Sequence, residues 1–234
     1  DAILGALAAA RPDHATAASG LIHVFTLAGR RDGTPWLNLF YEFGGVGARV
    51  AADGPDATGC FFLGGRSVIP QVEPLEAGNP IVVRASRLRA DSGGPGEWRG
   101  GLGVELEVEL LTDAVATVRG DRMLLPPPGA AGGRPGRAGE FAVRRADGRV
   151  EVLAAKQADV PIAAGERLVV RTSGGGGLGP PARRPPEAVL ADVVAGRVTR
   201  DAAARDYGVA LDPTGGDIDR AATSSLRDAA RPGR

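Results

Sequence analysis

Residues 91–103 carry the densest chemistry in the chain: Asp91-Ser92-Gly93-Gly94-Pro95-Gly96-Glu97-Trp98-Arg99-Gly100-Gly101-Leu102-Gly103. An acid, a hydroxyl and a guanidinium are interleaved with six glycines. A guanidinium offers paired donors that match a carboxylate or a phosphate. So many glycines imply a backbone that takes positive φ or passes close to another group. One reading is a loop lining a substrate or phosphate pocket, with Arg99 making a bidentate contact. The other is a long structured turn feeding the next strand, with Arg99 paired internally to Asp91. Residue types alone leave both open.

Other combinations lead to less. Ser92, His23 and Asp91 would spell a hydrolytic triad, but no Gly-x-Ser-x-Gly elbow surrounds the serine. No nucleophile or base is assigned. Gly174-Gly175-Gly176-Gly177-Leu178-Gly179 follows a strand, yet Pro180-Pro181 stand where a phosphate loop needs Lys-Ser/Thr and a dinucleotide loop needs a helix. A tight structural turn is the simpler reading, and no cofactor is expected on this chain. His14 and His23 are the two histidines, with Asp13 and Asp32 as the nearby acids, so no metal site is assigned. Asp121-Arg122, after a strand end, reads as an ion pair.

The elements that must position these residues are mostly strands. Residues 1–10 are Ala/Leu-rich and read as a short helix that Asp1 can cap. Residues 21–43 alternate on either side of Arg31-Asp32-Gly33, as a hairpin requires, and hold five of the ten aromatic residues. Residues 44–79 form a long loop-rich zone with the apolar piece Cys60-Phe61-Phe62-Leu63. Val104, Leu106, Val108 and Leu110 alternate with Glu105, Glu107 and Glu109, which gives a strand with one wet face or an interface. Strands follow at 115–119, at 141–145 and 149–153 around Asp147-Gly148, and at 168–172. Pro185-Pro186 and Glu187 then open a helix closed by Gly196, and Thr199 caps a second that Gly208 ends. The expected fold is α+β and mainly β, with short mixed or antiparallel strands, glycine-rich loops, an N-terminal helix and a helical C-terminal segment. Residues 1–211 form the body and 212–234 a flexible tail.

Composition narrows the classes of function. With 28 basic and 28 acidic residues the net charge is zero, which argues against a nucleic-acid clamp and a polybasic membrane anchor. No stretch approaches the roughly 18 apolar residues of a membrane span, so a cytoplasmic location is expected. The single cysteine, Cys60, excludes an internal disulfide framework and a Cys-based zinc cluster. Lys156 is the only lysine, as codon bias in a GC-rich genome would give. The chain opens at Asp1 with neither an initiator Met nor a leader, which suggests a trimmed or partial chain.

The order of landmarks resembles the hydantoinase B/5-oxoprolinase family. Gly44-Gly45-Val46-Gly47-Ala48-Arg49 is similar to that family's glycine-rich Gly-Ala-Arg segment, and residues 91–96 through 99–103 to its most recognisable stretch. Gly120-Asp121-Arg122, Gly132-Gly133-Arg134-Pro135-Gly136, Gly174 to Gly179, Pro186-Glu187-Ala188-Val189 and Asp206-Tyr207-Gly208-Val209 continue the likeness. It spans residues 1–211 and the C-terminal part of longer B-type chains. The resemblance implies part of a B-type subunit in an ATP-dependent cyclic-amide hydrolase, or a related ketone carboxylase, working in a hetero-oligomer. ATP and Mg would sit on a hydantoinase A-like partner subunit, and a divalent metal in the N-terminal part of the B-type chain. The alternative is a non-catalytic scaffolding module of such a complex. Pocket or subunit-contact candidates are Asp91, Ser92, Gly93, Gly94, Arg99, Gly100, Gly101, Arg49, Asp121 and Arg122. Phe61-Phe62-Leu63-Gly64-Gly65-Arg66 departs from the polar Thr/Asn/His stretch usual in the family.

Overall fold

The structure, a computed structural model, describes residues 1–11, 14–59, 69 and 71–229. The apolar piece at 60–63 and the departure at 61–66 lie outside the described residues. Helix α1 (Ala2–Ala10) leads into a hairpin of β1 (Ile22–Arg31) and β2 (Thr34–Phe43). Asp32 and Gly33 both take positive φ, +50° and +80°, the conformation a two-residue hairpin turn needs. Helix α2 (Val72–Gly78) and β3 (Ile81–Leu88) precede β4 (Val104–Leu110), β5 (Ala114–Gly120), β6 (Glu140–Arg144), β7 (Val150–Val152), β8 (Lys156–Ile162) and β9 (Arg167–Arg171). Helices α3 (Pro186–Val194), α4 (Arg200–Tyr207) and α5 (Arg220–Ala229) complete the chain. Among the described residues no helix is long and apolar enough to cross a membrane.

The strands form two antiparallel sheets, ordered β2-β1-β5-β8 and β3-β4-β9-β6-β7. Phe25, Leu27, Phe40, Ala116 and Val118 of the first share one core with Leu106, Val108, Phe141, Leu168 and Val170 of the second. Alternation decides which side chains enter it: β5 buries every second residue from Ala114 to Gly120. The glutamate face of β4 is a ladder of ion pairs. Glu105 lies between Arg87 and Arg171, Glu107 between Arg144 and Arg167, and Glu109 between Arg84 and Arg167. Cross-strand charge pairs of this kind hold register, and the arginines cover the acids, so that Glu107 is buried and Glu105 and Glu109 are only partly exposed.

A second core has almost no side chains. Residues 174–178 run through its middle, and segments 17–20, 44–48, 93–96, 99–103 and 127–136 surround them. Backbone bonds stitch the segments together: Gly94 N–H to Gly175 O, Gly175 N–H to Gly101 O and Gly176 N–H to Ala18 O, each 2.8 Å. Gly101 N–H donates to Val46 O at 2.9 Å and Arg134 N–H to Pro95 O at 2.7 Å. Segment 172–179 is buried throughout, so these polar groups must find partners in the protein. A Cβ at Gly175 would overlap Val46 O, and one at Gly101 would overlap Pro55 O. Neither glycine takes positive φ. Close approach, not a left-handed turn, is what demands glycine here. Asp91 is the residue of the 91–103 segment that does take positive φ, +58°.

Several expectations need correction. Asp1 precedes α1 but makes no side-chain cap; its carboxylate takes the Ser19 N–H at 3.3 Å and pairs with Arg122 at 2.7 Å. Arg122 therefore pairs with Asp1, not with its neighbour Asp121. Strands β3 and β8 and helix α2 are elements that the alternation pattern did not reveal. The stretch beyond Asp212, expected as a flexible tail, contains α5, and Thr223 is buried against the body with its Oγ1 bonded to Ala210 at 3.0 Å. The α4 boundaries match the sequence reading: Thr199 Oγ1 accepts from Ala202 N–H, and Gly208 closes the helix at φ +62°.

Candidate functional site

Ser92, Gly93, Gly94, Gly100 and Gly101 come together inside the glycine core. Ser92 is fully buried; its hydroxyl donates to Arg89 O at 2.5 Å and accepts from Gly103 N–H at 2.9 Å. That serine closes a backbone turn. Asp91 faces outward from the same loop and accepts from Thr199 N–H and Thr199 Oγ1, each at 2.8 Å, so it anchors the N-terminus of α4. It does not pair with Arg99.

Arg99 belongs instead to a buried charge network. It is 3% exposed and lies 3.3 Å from Asp56 and 3.4 Å from Asp192 on α3, while its backbone N–H donates to Asp53 at 2.7 Å. Arg184 forks onto both Asp53 oxygens at 2.8 and 2.7 Å and reaches Asp192 at 2.7 Å. Arg197 adds a contact to Asp56 at 3.3 Å. Three guanidinium groups thus face three carboxylates. Burial alone would raise the Asp53 carboxyl, but the Arg184 fork and the Arg99 backbone N–H hold it below its usual value. The network fastens α3 and the loop at 53–56 to the 91–103 segment. Sequence reasoning missed Asp53, Asp56, Asp192 and Arg184, because no local spacing joins the segments 53–56, 99 and 184–197.

Asp121 and Arg122 sit at the end of β5. With Asp1, Leu4, Thr16 and Gly129, Arg122 lines a cleft of about 440 Å³ between α1 and the glycine core. The Thr16 hydroxyl there has no partner among the described residues. Behind the cleft, His23 is fully buried, 3.5 Å from Ser173 Oγ and edge-on to Phe141. Burial and the Arg89 charge lower its pKa to about 4, so it is a neutral imidazole at pH 7. Arg49 is exposed, and its backbone pairs with Thr16 and with Ala52, the residue before Asp53.

Glu42 is the titratable group the sequence reading passed over. It sits opposite His23 across the β1–β2 ladder, on the inward face. It lines a small apolar cavity of about 90 Å³ with Asn38, Phe40, Val72, Leu75 and Leu106. Burial raises its pKa to about 7, a value that suits proton transfer near neutrality. Its signal was an acid in the inward register of Trp36, Asn38 and Phe40. Among the described residues no group of three or more His, Cys, Asp or Glu side chains could hold a metal ion.

Comparison with known proteins places this geometry. Residues 1–181 match the family described as hydantoinase B/oxoprolinase. The chain is 36% identical to the beta subunit of the caprolactamase of Pseudomonas jessenii, across 98% of this chain and 41% of that protein. It is 30% identical to the B-type subunit of a putative D-/L-hydantoinase of Pseudomonas sp. strain NS671, across 97% of this chain and 38% of the relative. The crystal structure of the ATP-dependent caprolactamase from Pseudomonas jessenii superposes with a TM-score of 0.83 at 33% identity, covering 95% of this chain and 40% of that one. The chain therefore spans about two fifths of the length of these relatives. Helices α3, α4 and α5 lie beyond the family match.

Proposed function

We propose, on the premise that this chain belongs to the hydantoinase B/oxoprolinase family, that it is the C-terminal part of a B-type subunit in an ATP-dependent cyclic-amide hydrolase. The observation that carries the proposal is the 36% identity to the beta subunit of a caprolactamase along 98% of the chain. In this reading ATP and Mg belong to a hydantoinase A-like partner subunit. Ring opening is completed by the assembled hetero-oligomer in the cytoplasm. The divalent metal implied by the resemblance does not fit the described residues, which assemble no donor cluster. It belongs to the N-terminal part of the B-type chain.

The contribution of this chain is architectural. The Ser92 hydroxyl and Arg99 Nη1 are engaged internally, Arg99 pairs with Asp56 and Asp192, and the glycine core packs backbone against backbone. A rigid body of this kind presents the α1 cleft, with Arg122, Asp1 and Thr16, to the rest of the enzyme. The same observation favours the second reading, a scaffolding module that takes no part in the chemistry. Native and denaturing mass spectrometry of the protein from its own source tests the proposal. A complex with a second, larger chain supports it; a lone 23.8 kDa species in both spectra contradicts it.

A further inference from the structure

Three arginines converge where three glycine segments leave the core. Arg89 ends the approach to residues 91–103, Arg137 follows 132–136, and Arg171 precedes 172–179. With Arg87, Glu105 and Glu140 they line a polar depression of about 460 Å³. Arg171 is committed to Glu105 and Glu140, and Arg87 to Glu105. Arg89 is not: its Nη1 donates to the carbonyls of Ala138 at 2.7 Å and Thr172 at 3.2 Å. Arg137 is exposed, and its pinned part is the backbone, which donates to Ser92 O at 2.8 Å and accepts from Gly174 N–H at 3.1 Å. Among the described residues no carboxylate pairs with either. Four guanidinium groups against two carboxylates leave two positive charges unmatched in one depression. Burial first, and then the nearby Arg137 and Arg171 charges, lower the Arg89 pKa against the opposing pull of Glu140 and Glu105.

We propose that this depression binds a phosphate group, with Arg89 and Arg137 as the recognising side chains. A dianionic oxyanion matches the two unmatched charges, and the free guanidinium edges supply charge-assisted donors. The Nη1 bonds of Arg89 to Ala138 O and Thr172 O hold its guanidinium in place before any ligand arrives, while the exposed side chain of Arg137 is ordered on binding. The site is separate from the Arg99–Arg184 network and from the α1 cleft. It does not depend on which reaction the assembly performs.

The test is arginine footprinting with phenylglyoxal on the protein purified with whatever subunits accompany it, read by peptide mass spectrometry. Inorganic phosphate and a phosphate monoester are compared with chloride at matched ionic strength. Either phosphate probe should slow modification of Arg137 and Arg87 several-fold while the exposed Arg31 and Arg183 react unchanged. Protection by inorganic phosphate alone identifies the free ion as the occupant; protection by both identifies a phosphorylated small molecule as a competent one. Arg137→Gln removes an exposed side chain, so the fold is retained, and it should weaken phosphate protection of Arg87 by about tenfold. Equal rates in phosphate and chloride would overturn the proposal. So would uniform slowing at all exposed arginines, or full protection in Arg137→Gln.

Discussion

Replacing Glu42 with glutamine isolates the electrostatics of the inward face of the β1–β2 hairpin. Burial moves the Glu42 carboxyl from 4.5 up to about 7, and burial with the Arg89 charge moves His23 from 6.5 down to about 4. Each displacement corresponds to about 3 kcal/mol between protonation states. Their effects on stability have opposite signs. Between about pH 5 and 6.5 the native chain keeps a Glu42 proton that the unfolded chain has released, so this group makes stability fall as pH rises. Over the same range the unfolded chain holds a His23 proton that the native chain lacks, so that group makes stability rise. The two nearly cancel, and the parent protein should show an almost level profile. In Glu42→Gln only the His23 effect remains, and stability should climb by about 1.5 kcal/mol across the window. Urea unfolding followed by tryptophan fluorescence at a series of pH values reads this directly, with the m-value as a check on a common unfolded state. Parallel profiles for parent and variant would refute the argument, because they would mean that Glu42 is ionised in the native protein or that its burial has no energetic weight.

Other expectations follow from the two buried frameworks. Gly175→Ala forces a methyl against Val46 O and should destabilise by about 3 kcal/mol or more; Gly5→Ala, with open space around it on α1, should be neutral or stabilising by up to about 1 kcal/mol. Comparing the two urea midpoints separates crowding from a general effect of losing glycine. Arg184→Ala leaves Asp53 and Asp192 without their shared cation and should lower stability by about 3–5 kcal/mol, measured as a loss of thermal midpoint. Asp91→Ala removes the anchor of Thr199 at the start of α4 and should cost about 1 kcal/mol, with faster amide exchange confined to 199–207.

Local signals were read from the sequence where the structure depends on neighbours along the chain. The Asp32-Gly33 turn, the alternation from Val104 to Leu110 and the Thr199 and Gly208 boundaries of α4 are all decided within a few residues. Strand β3 escaped because a register shift at Val83/Ala85 breaks its period. Strand β8 escaped because it is an edge strand that tolerates Pro161 and takes Asp159 at φ +55°. Helix α2 is seven residues with Pro74 inside it. Helix α5 carries Arg, Ser and Thr with few large apolar residues. The glycine runs announced close approach but not its partner, because Gly175 meets Val46 across more than a hundred residues of chain. The Arg99 network was hidden for a related reason: its members come from three separate segments, 53–56, 99 and 184–197, that no local pattern joins.

The most direct test of the central proposal is nucleotide-dependent ring opening by the purified assembly that contains this chain. Caprolactam, a hydantoin and 5-oxoproline are supplied with and without ATP, and the ring-opened acid is quantified alongside released phosphate. The account predicts that at least one of these cyclic amides is opened only when ATP is present, without a requirement for bicarbonate. Bicarbonate-dependent consumption of a ketone with no amide hydrolysis would contradict it, and so would an assembly that opens no cyclic amide with ATP present.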